Sequence, residues 1–136
     1  MKILNIDTER RRLGNIGEKE AIRYLKKNKY KILEKNYTEI GIEIDIIAEN
    51  KDCIAFVEVK TRTIGHESLK EPRPASAVTK EKQRKIITLA KYYLGSYFKQ
   101  RRVRFDIIEV YLNEEKKVEK LLHLESAFNY NTSRSM

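Results

Sequence analysis

The segment Cys53-Ile54-Ala55-Phe56-Val57-Glu58-Val59-Lys60-Thr61-Arg62 constrains the fold more than any other stretch of this chain. Successive side chains of a β-strand point to opposite faces, so Cys53, Ala55, Val57 and Val59 share one side. Glu58, Lys60 and Arg62 share the other. So apolar a run belongs inside a sheet and not at its rim. A carboxylate and an ammonium two residues apart on an interior strand are costly to desolvate. A metal-dependent active site is one arrangement that offsets such a cost, and an internal salt-bridge cluster is the plainer one.

The chain has 136 residues and 40% hydrophobic content, which predicts one domain over residues 1–124 and a C-terminal tail over 125–136. No run approaches the roughly 18 apolar residues that span a bilayer, so no membrane association is expected. The N-terminus is polar from Asn5 onward, unlike a signal peptide. Cys53 is the single cysteine, which excludes an intramolecular disulfide and argues against a thiolate metal site. A reducing, cytoplasmic setting fits best. Lys and Arg outnumber Asp and Glu by 29 to 20, a net charge of +9 that favours polyanions, meaning nucleic acid or acidic lipid. The alternative is a merely Lys-rich surface.

Periodicity places a helix over about Leu13–Asn28, with Gly14, Glu18, Ala21, Ile22 and Leu25 on one stripe. Tyr30–Tyr37 reads as a strand. Ile40–Ala48 reads as a second, with Ile40, Ile42, Ile44, Ile46 and Ala48 facing one way and Glu43 and Asp45 the other. Residues 49–52 form a hairpin turn into the strand Cys53–Thr61. The stretch Thr63–Val78 lacks periodicity and reads as a long loop of the functional or disordered kind. Thr79 caps a helix running to about Lys99, burying Ile86, Ile87, Ala90, Tyr93, Leu94 and Tyr97. Strands over Val103–Leu112 and Val118–Leu124 follow. The order α-β-β-β-α-β-β predicts an α/β fold around a mixed sheet.

Three acids sit where periodicity puts the core. Glu18 lies on the apolar stripe of the first helix, Asp45 on the second strand and Glu58 on the third. An antiparallel hairpin brings Asp45 towards Glu58, and two neighbouring carboxylates gain from a divalent cation between them. Hard oxygen ligands of this kind suit Mg²⁺ or Mn²⁺, and Lys60 stands beside them as a cation able to orient water or neutralise transition-state charge. Glu18 could hold a second ion or a metal-bound water. Against this stands a salt-bridge cluster of Glu58 with Lys60, and of Asp45 or Glu43 with an arginine. Glu43, one pleat further out, reads as a supporting or salt-bridged acid. Lys80 and Gln83 open the second helix, where they either reach a phosphate or are ordinary first-turn polarity. His66 reads as a solvated loop histidine, and His123 carries no signal. Arg10-Arg11-Arg12 and the Lys99–Arg104 cluster either meet phosphates or are solvated surface.

Glu18, Asp45 and Glu58-Val59-Lys60 together resemble the PD-(D/E)XK, or restriction-endonuclease-like, nuclease superfamily, in an arrangement similar to that of archaeal Holliday-junction resolvases. A closer resemblance is to the YraN-like family of small bacterial proteins. It rests on Gly14-x-x-Gly17-Glu18-x-x-Ala21, Asn36-Tyr37, Glu43-Ile44-Asp45-Ile46-Ile47-Ala48, Phe56 to Arg62, Ala77-Val78-Thr79-x-x-Lys82-Gln83 and Arg104-Phe105-Asp106. One departure is Ile42 directly before the Glu-Ile-Asp run, where that family usually has glycine; Gly41 stands one place earlier.

The resemblance implies a restriction-endonuclease-like core with Asp45, Glu58, the Val59 carbonyl and Glu18 as metal ligands, and Lys60, Glu58, Asp45 and Glu18 as the catalytic set. Arg62, Lys80, Gln83 and Arg84 are the expected nucleic-acid contacts. The expected activity is metal-dependent endonucleolytic hydrolysis of DNA, structured or branched, which at a four-way junction requires a homodimer for two symmetric cuts. A non-catalytic nucleic-acid-binding module retaining the nuclease fold is the alternative.

Overall fold

A computed structural model describes residues 6–64 and 78–129 of the protein. Its elements are α1 (Ile6–Lys27), β1 (Lys31–Glu39), β2 (Ile42–Glu49), β3 (Ile54–Thr63), α2 (Lys80–Leu94), a 3₁₀ turn (Gly95–Lys99), β4 (Val103–Leu112) and β5 (Val118–Phe128). The α-β-β-β-α-β-β order holds, and the strands form one sheet in the order β1-β2-β3-β4-β5. All neighbours are antiparallel except β3 and β4, which α2 connects in parallel. This mixed α/β sheet flanked by two helices is consistent with a restriction-endonuclease-like core.

The sheet is covered on both faces, which is why β3 is apolar on both sides up to Glu58. Ile54 and Phe56 pack with Ile86, Leu89, Ala90, Phe105 and Ile107 on the α2 side. Ala55 and Val57 pack with Ala21, Leu25, Ile108 and Val110 on the α1 side. Each fully buried Leu, Ile or Phe of these layers contributes about 1.5–3 kcal/mol. The α1 layer is close because Gly17 faces β3 without a side chain. A Cβ there would lie 2.0 Å from Thr61 Oγ1 and 3.0 Å from Thr61 Cβ. Gly17→Ala is therefore expected to cost about 1–3 kcal/mol in a urea melt, and Thr61→Ala in the same chain to recover part of it.

Several expected boundaries shift. The first helix begins at Ile6, not near Leu13. The second ends at Leu94, where Gly95 takes φ 57° and its N–H bonds to the Lys91 carbonyl. Tyr97, expected in the buried face, is 61% exposed in the 3₁₀ turn that follows. Ile40 is not a strand residue: with Gly41 it makes the β1–β2 turn, both at positive φ. β5 runs on to Phe128, whose ring stacks on Phe105, so residues 125–128 belong to the sheet. His66 and most of the Thr63–Val78 stretch lie outside the described residues.

The largest departure is in β2. Ile42 and Ile44 pack on the α2 side, but Ile46 and Ala48 pack on the α1 side. The alternation slips at Asp45, opposite Asn36, which adopts φ 51°. Pairing of β2 with β3 also stops there: Ile46 opposes Val57, and no partner follows. The two strands separate at that point, and the separation makes the site.

Candidate active site

Asp45 stands where β2 leaves β3. Its Oδ2 accepts the Val59 N–H at 2.8 Å, so the carboxylate closes a backbone donor that the broken ladder would otherwise leave open. Continued in register, the hairpin would set Asp45 opposite Glu58, and the two acids do meet electrostatically. Burial and then the charge of Glu58 push the Asp45 carboxyl up to about 7, against the Val59 hydrogen bond, with smaller contributions from Glu18 and Glu43.

Glu58 is the buried member, 6% exposed. Lys82 of α2 donates to its Oε2 at 2.7 Å, and Lys60 Nζ lies 3.5 Å from the same oxygen. The closer cation thus comes from α2 and not from the Glu-x-Lys strand. Periodicity does not single out Lys82, although it stands beside Gln83 in the motif that carries the family resemblance. A long, solvated side chain in the first turn of a helix gives no periodic signal.

A cleft of about 500 Å³ opens in front of Asp45 and Lys60, lined also by Gly14, Glu18, Asn36 and Val59 among others, with Arg10 and Arg11 at its wall. Glu18 faces the cleft but is turned to Asn36, whose Nδ2 donates to Glu18 Oε2 and Glu43 Oε2, both at 3.0 Å. Burial raises the Glu18 carboxyl above its ordinary range, the Asn36 hydrogen bond opposes that shift, and the charges of Glu43 and Glu58 reinforce it. Asn36 thus joins the two outer acids, and its left-handed backbone, common for asparagine, is the sequence signal that periodicity passes over.

The expected nucleic-acid contacts separate. Arg62 lies 3.6 Å from Glu109 Oε2 of β4. Gln83 is buried, its Nε2 donating to the Val78 carbonyl at 3.0 Å, because its place on the α2 stripe turns it inward with Ile86 and Ile87. Its side chain is therefore turned away from any phosphate at the helix start. Lys80 is half-buried and Arg84 exposed on the same helix. Of the basic clusters, Arg10 and Arg11 reach the cleft, whereas Arg101 pairs with Glu49 and Arg104 is consumed by Asp106.

Among the described residues, no group of three or more His, Cys, Asp or Glu side chains comes close enough together to hold a metal ion. Asp45 and Glu58, close enough to interact electrostatically, form a two-carboxylate set. Mg²⁺ commonly binds through one or two carboxylates, with water or phosphate completing its shell, so the donors fit Mg²⁺ or Mn²⁺. Burial and then the repulsion from Glu58 raise Asp45, and the repulsion is the load such an ion would relieve.

That repulsion predicts a pH dependence. A carboxyl raised on folding contributes stability that is full below its ordinary value of 3.8 and lost as pH rises through about 7. In chelator, the melting temperature is expected to decline across that window and Asp45→Asn, which can still accept the Val59 N–H, to flatten the decline. Parallel curves for the two proteins in a pH series would refute the assignment.

The model of the uncharacterised protein family UPF0102 matches residues 17–110. Among similar proteins, a UPF0102 protein of Caldanaerobacter subterraneus is 53% identical over 119 residues, covering 85% of this chain and 93% of its own. One of Caldicellulosiruptor saccharolyticus is 41% identical over 121 residues, covering 88% and 98%. One of Clostridium acetobutylicum is 44% identical over 119 residues, covering 87% and 94%. The matched span takes in Glu18, Asp45, Glu58, Lys60 and Lys82. No helix among the described residues is long and apolar enough to cross a membrane.

Proposed function

This chain belongs to the protein family UPF0102, and on that premise we propose that it is a metal-dependent endonuclease hydrolysing phosphodiester bonds in DNA, structured or branched, in the cytoplasm. The observation that carries the proposal is the Asp45–Val59 hydrogen bond at the split between β2 and β3, which sets an acid at an open cleft with Lys60 and within electrostatic reach of Glu58. A bound Mg²⁺ or Mn²⁺ would supply Lewis acidity and lower the pKa of its water. Asp45 and Glu58 would hold it. Lys60, lining the same cleft, would meet the charge that develops on the phosphate. Arg10 and Arg11 at the cleft wall suit the flanking DNA backbone, and a homodimer would let two such clefts act on a symmetric junction.

A non-catalytic nucleic-acid-binding module is the second reading, and one observation favours it: among the described residues no three acids come close enough together to hold a metal ion. A cleavage panel separates the two. Linear duplex, single strand, flap and four-way junction are incubated with Mg²⁺ or Mn²⁺, with wild type beside Glu58→Ala. Cutting that needs both metal and Glu58 is the expected result. Salt-sensitive binding without cutting on every substrate would leave the binding module in its place.

A further inference from the structure

Lys82 reaches Glu58 from outside the strand motif, and it is the better-placed of the two ammonium groups. Its Nζ lies 2.7 Å from Glu58 Oε2, against 3.5 Å for Lys60. Thr79 Oγ1 accepts the Lys82 backbone N–H at 3.1 Å, so the helix cap fixes the base of the side chain whose tip holds the acid. The two lysines differ in freedom. The Lys60 side chain is 23% exposed on an interior strand, whereas that of Lys82 is 45% exposed on a helix surface. Beside it runs a groove of about 400 Å³ lined by Glu43, Glu81, Lys82 and Lys85. Glu43 also lines the cleft in front of Asp45.

Placing a divalent cation at Glu58 puts like charges close together in a partly buried setting, where their repulsion is poorly screened. The ammonium hydrogen-bonded to the acid is the one most opposed to the ion, and it is also the one with somewhere to go. We infer that Lys82 is the resident counter-ion of Glu58, exchanging with a divalent cation and swinging into the adjacent groove towards Glu43 and Glu81 when the cation binds. Lys82 in this role holds the Glu58 side chain in place, and sets how tightly the metal is held. The inference rests on the metal-binding part of the proposed function and not on cleavage.

Calorimetric titration of the full chain with Mn²⁺, without DNA, tests it. Removing a charge-assisted hydrogen bond that the metal must break should tighten Mn²⁺ binding in Lys82→Met by about tenfold or more. Lys82→Arg should stay within a few-fold of wild type, and Lys60→Met should change affinity less than Lys82→Met. A lysine with a merely structural role would leave the affinity unchanged or weaken it, and either result in a folded Lys82→Met protein overturns the inference. A measurement on the wild type guards against a variant that fails to fold. With lysine labelled at nitrogen, the Lys82 ammonium resonance should be protected from exchange in chelator and lose that protection on saturation with Mg²⁺. A resonance that stays protected at saturation overturns the exchange. Absence of Mn²⁺ binding in wild type and variants alike overturns both this inference and the metal-binding part of the proposed function, whereas binding indifferent to Lys82 overturns this one alone.

Discussion

Lys60→Ala is expected to lower metal-dependent cleavage by about 10²–10³-fold, the range seen when one preorganised group facing transition-state charge is removed. The fold should survive the change. Glu58 keeps its closer partner, Lys82 at 2.7 Å, so the truncation leaves no buried carboxylate without a cation. Lys60 itself is partly exposed and outside both packed layers. The loss should therefore fall on turnover, with circular dichroism and melting temperature close to wild type. Cleavage within a few-fold of wild type would remove Lys60 from the chemistry and transfer attention to Lys82. A collapse of the melting temperature would show instead that the Lys60–Glu58 pair serves the fold.

Asp106→Ala should have the largest effect on stability, about 3–5 kcal/mol, because it strips the common partner from several buried groups at once. Asp106 is 0% exposed. It accepts from Arg104 Nε at 3.0 Å and Nη2 at 2.8 Å, and from the Ser126 N–H at 3.0 Å. His123 Nε2 lies 2.7 Å from its Oδ2, and His123 Nδ1 is 2.9 Å from the Tyr24 hydroxyl. The His123 ring bridges the Asp106 carboxylate and the Tyr24 hydroxyl through its two nitrogens, which ties α1 to β4 and β5. Arg104 also donates to the Tyr30 hydroxyl at the entry to β1. Thermal melts should register the loss as roughly 10 °C or more. Burial works against the ionised Asp106, but its hydrogen bonds from His123, Arg104 and Ser126 more than offset that and hold the carboxyl below its ordinary value. Its stability is thus present above 3.8 and lost as pH falls through the lower folded value. Asp106→Asn should remove that acid limb while keeping part of the network. A melting temperature unchanged in Asp106→Ala would mean the cluster is ornamental.

His123 shows why this cluster is hard to see in one dimension. It sits on an edge strand between Leu122 and Leu124, with no spacing that marks it. Its partners Asp106 and Tyr24 stand 17 and 99 residues away. Arg104 and Asp106 are readable as a basic residue and an acid on a strand, but Arg104, expected either at a phosphate or on solvated surface, is spent inside the protein on Asp106. Gln83 is the same case in reverse, polar by type and buried by position.

Where local physics decides, the sequence sufficed. The alternation in Cys53–Thr61 requires an interior strand, Thr79 requires a helix start, and residues 49–52 require a tight turn. Asn50 makes that turn by accepting the Asp52 and Cys53 N–H groups. The juxtaposition of Asp45 with Glu58 and Lys60 followed from hairpin register, since antiparallel pairing across a short turn has little freedom. Tertiary structure decided the rest. The slip in β2 at Asp45 depends on Asn36 in the neighbouring strand and on the β2–β3 pairing ending at Val57, neither of which a single strand's periodicity contains. The choice of Lys82 over Gln83 as the side chain that reaches Glu58 depends on the rotation of α2 against the sheet. That rotation is set by how Ile86, Leu89 and Ala90 pack on Phe56 and Ile107. Periodicity reports which face of an element is apolar; the angle at which two such faces meet is a property of their packing, and the charges of this site are distributed by that angle.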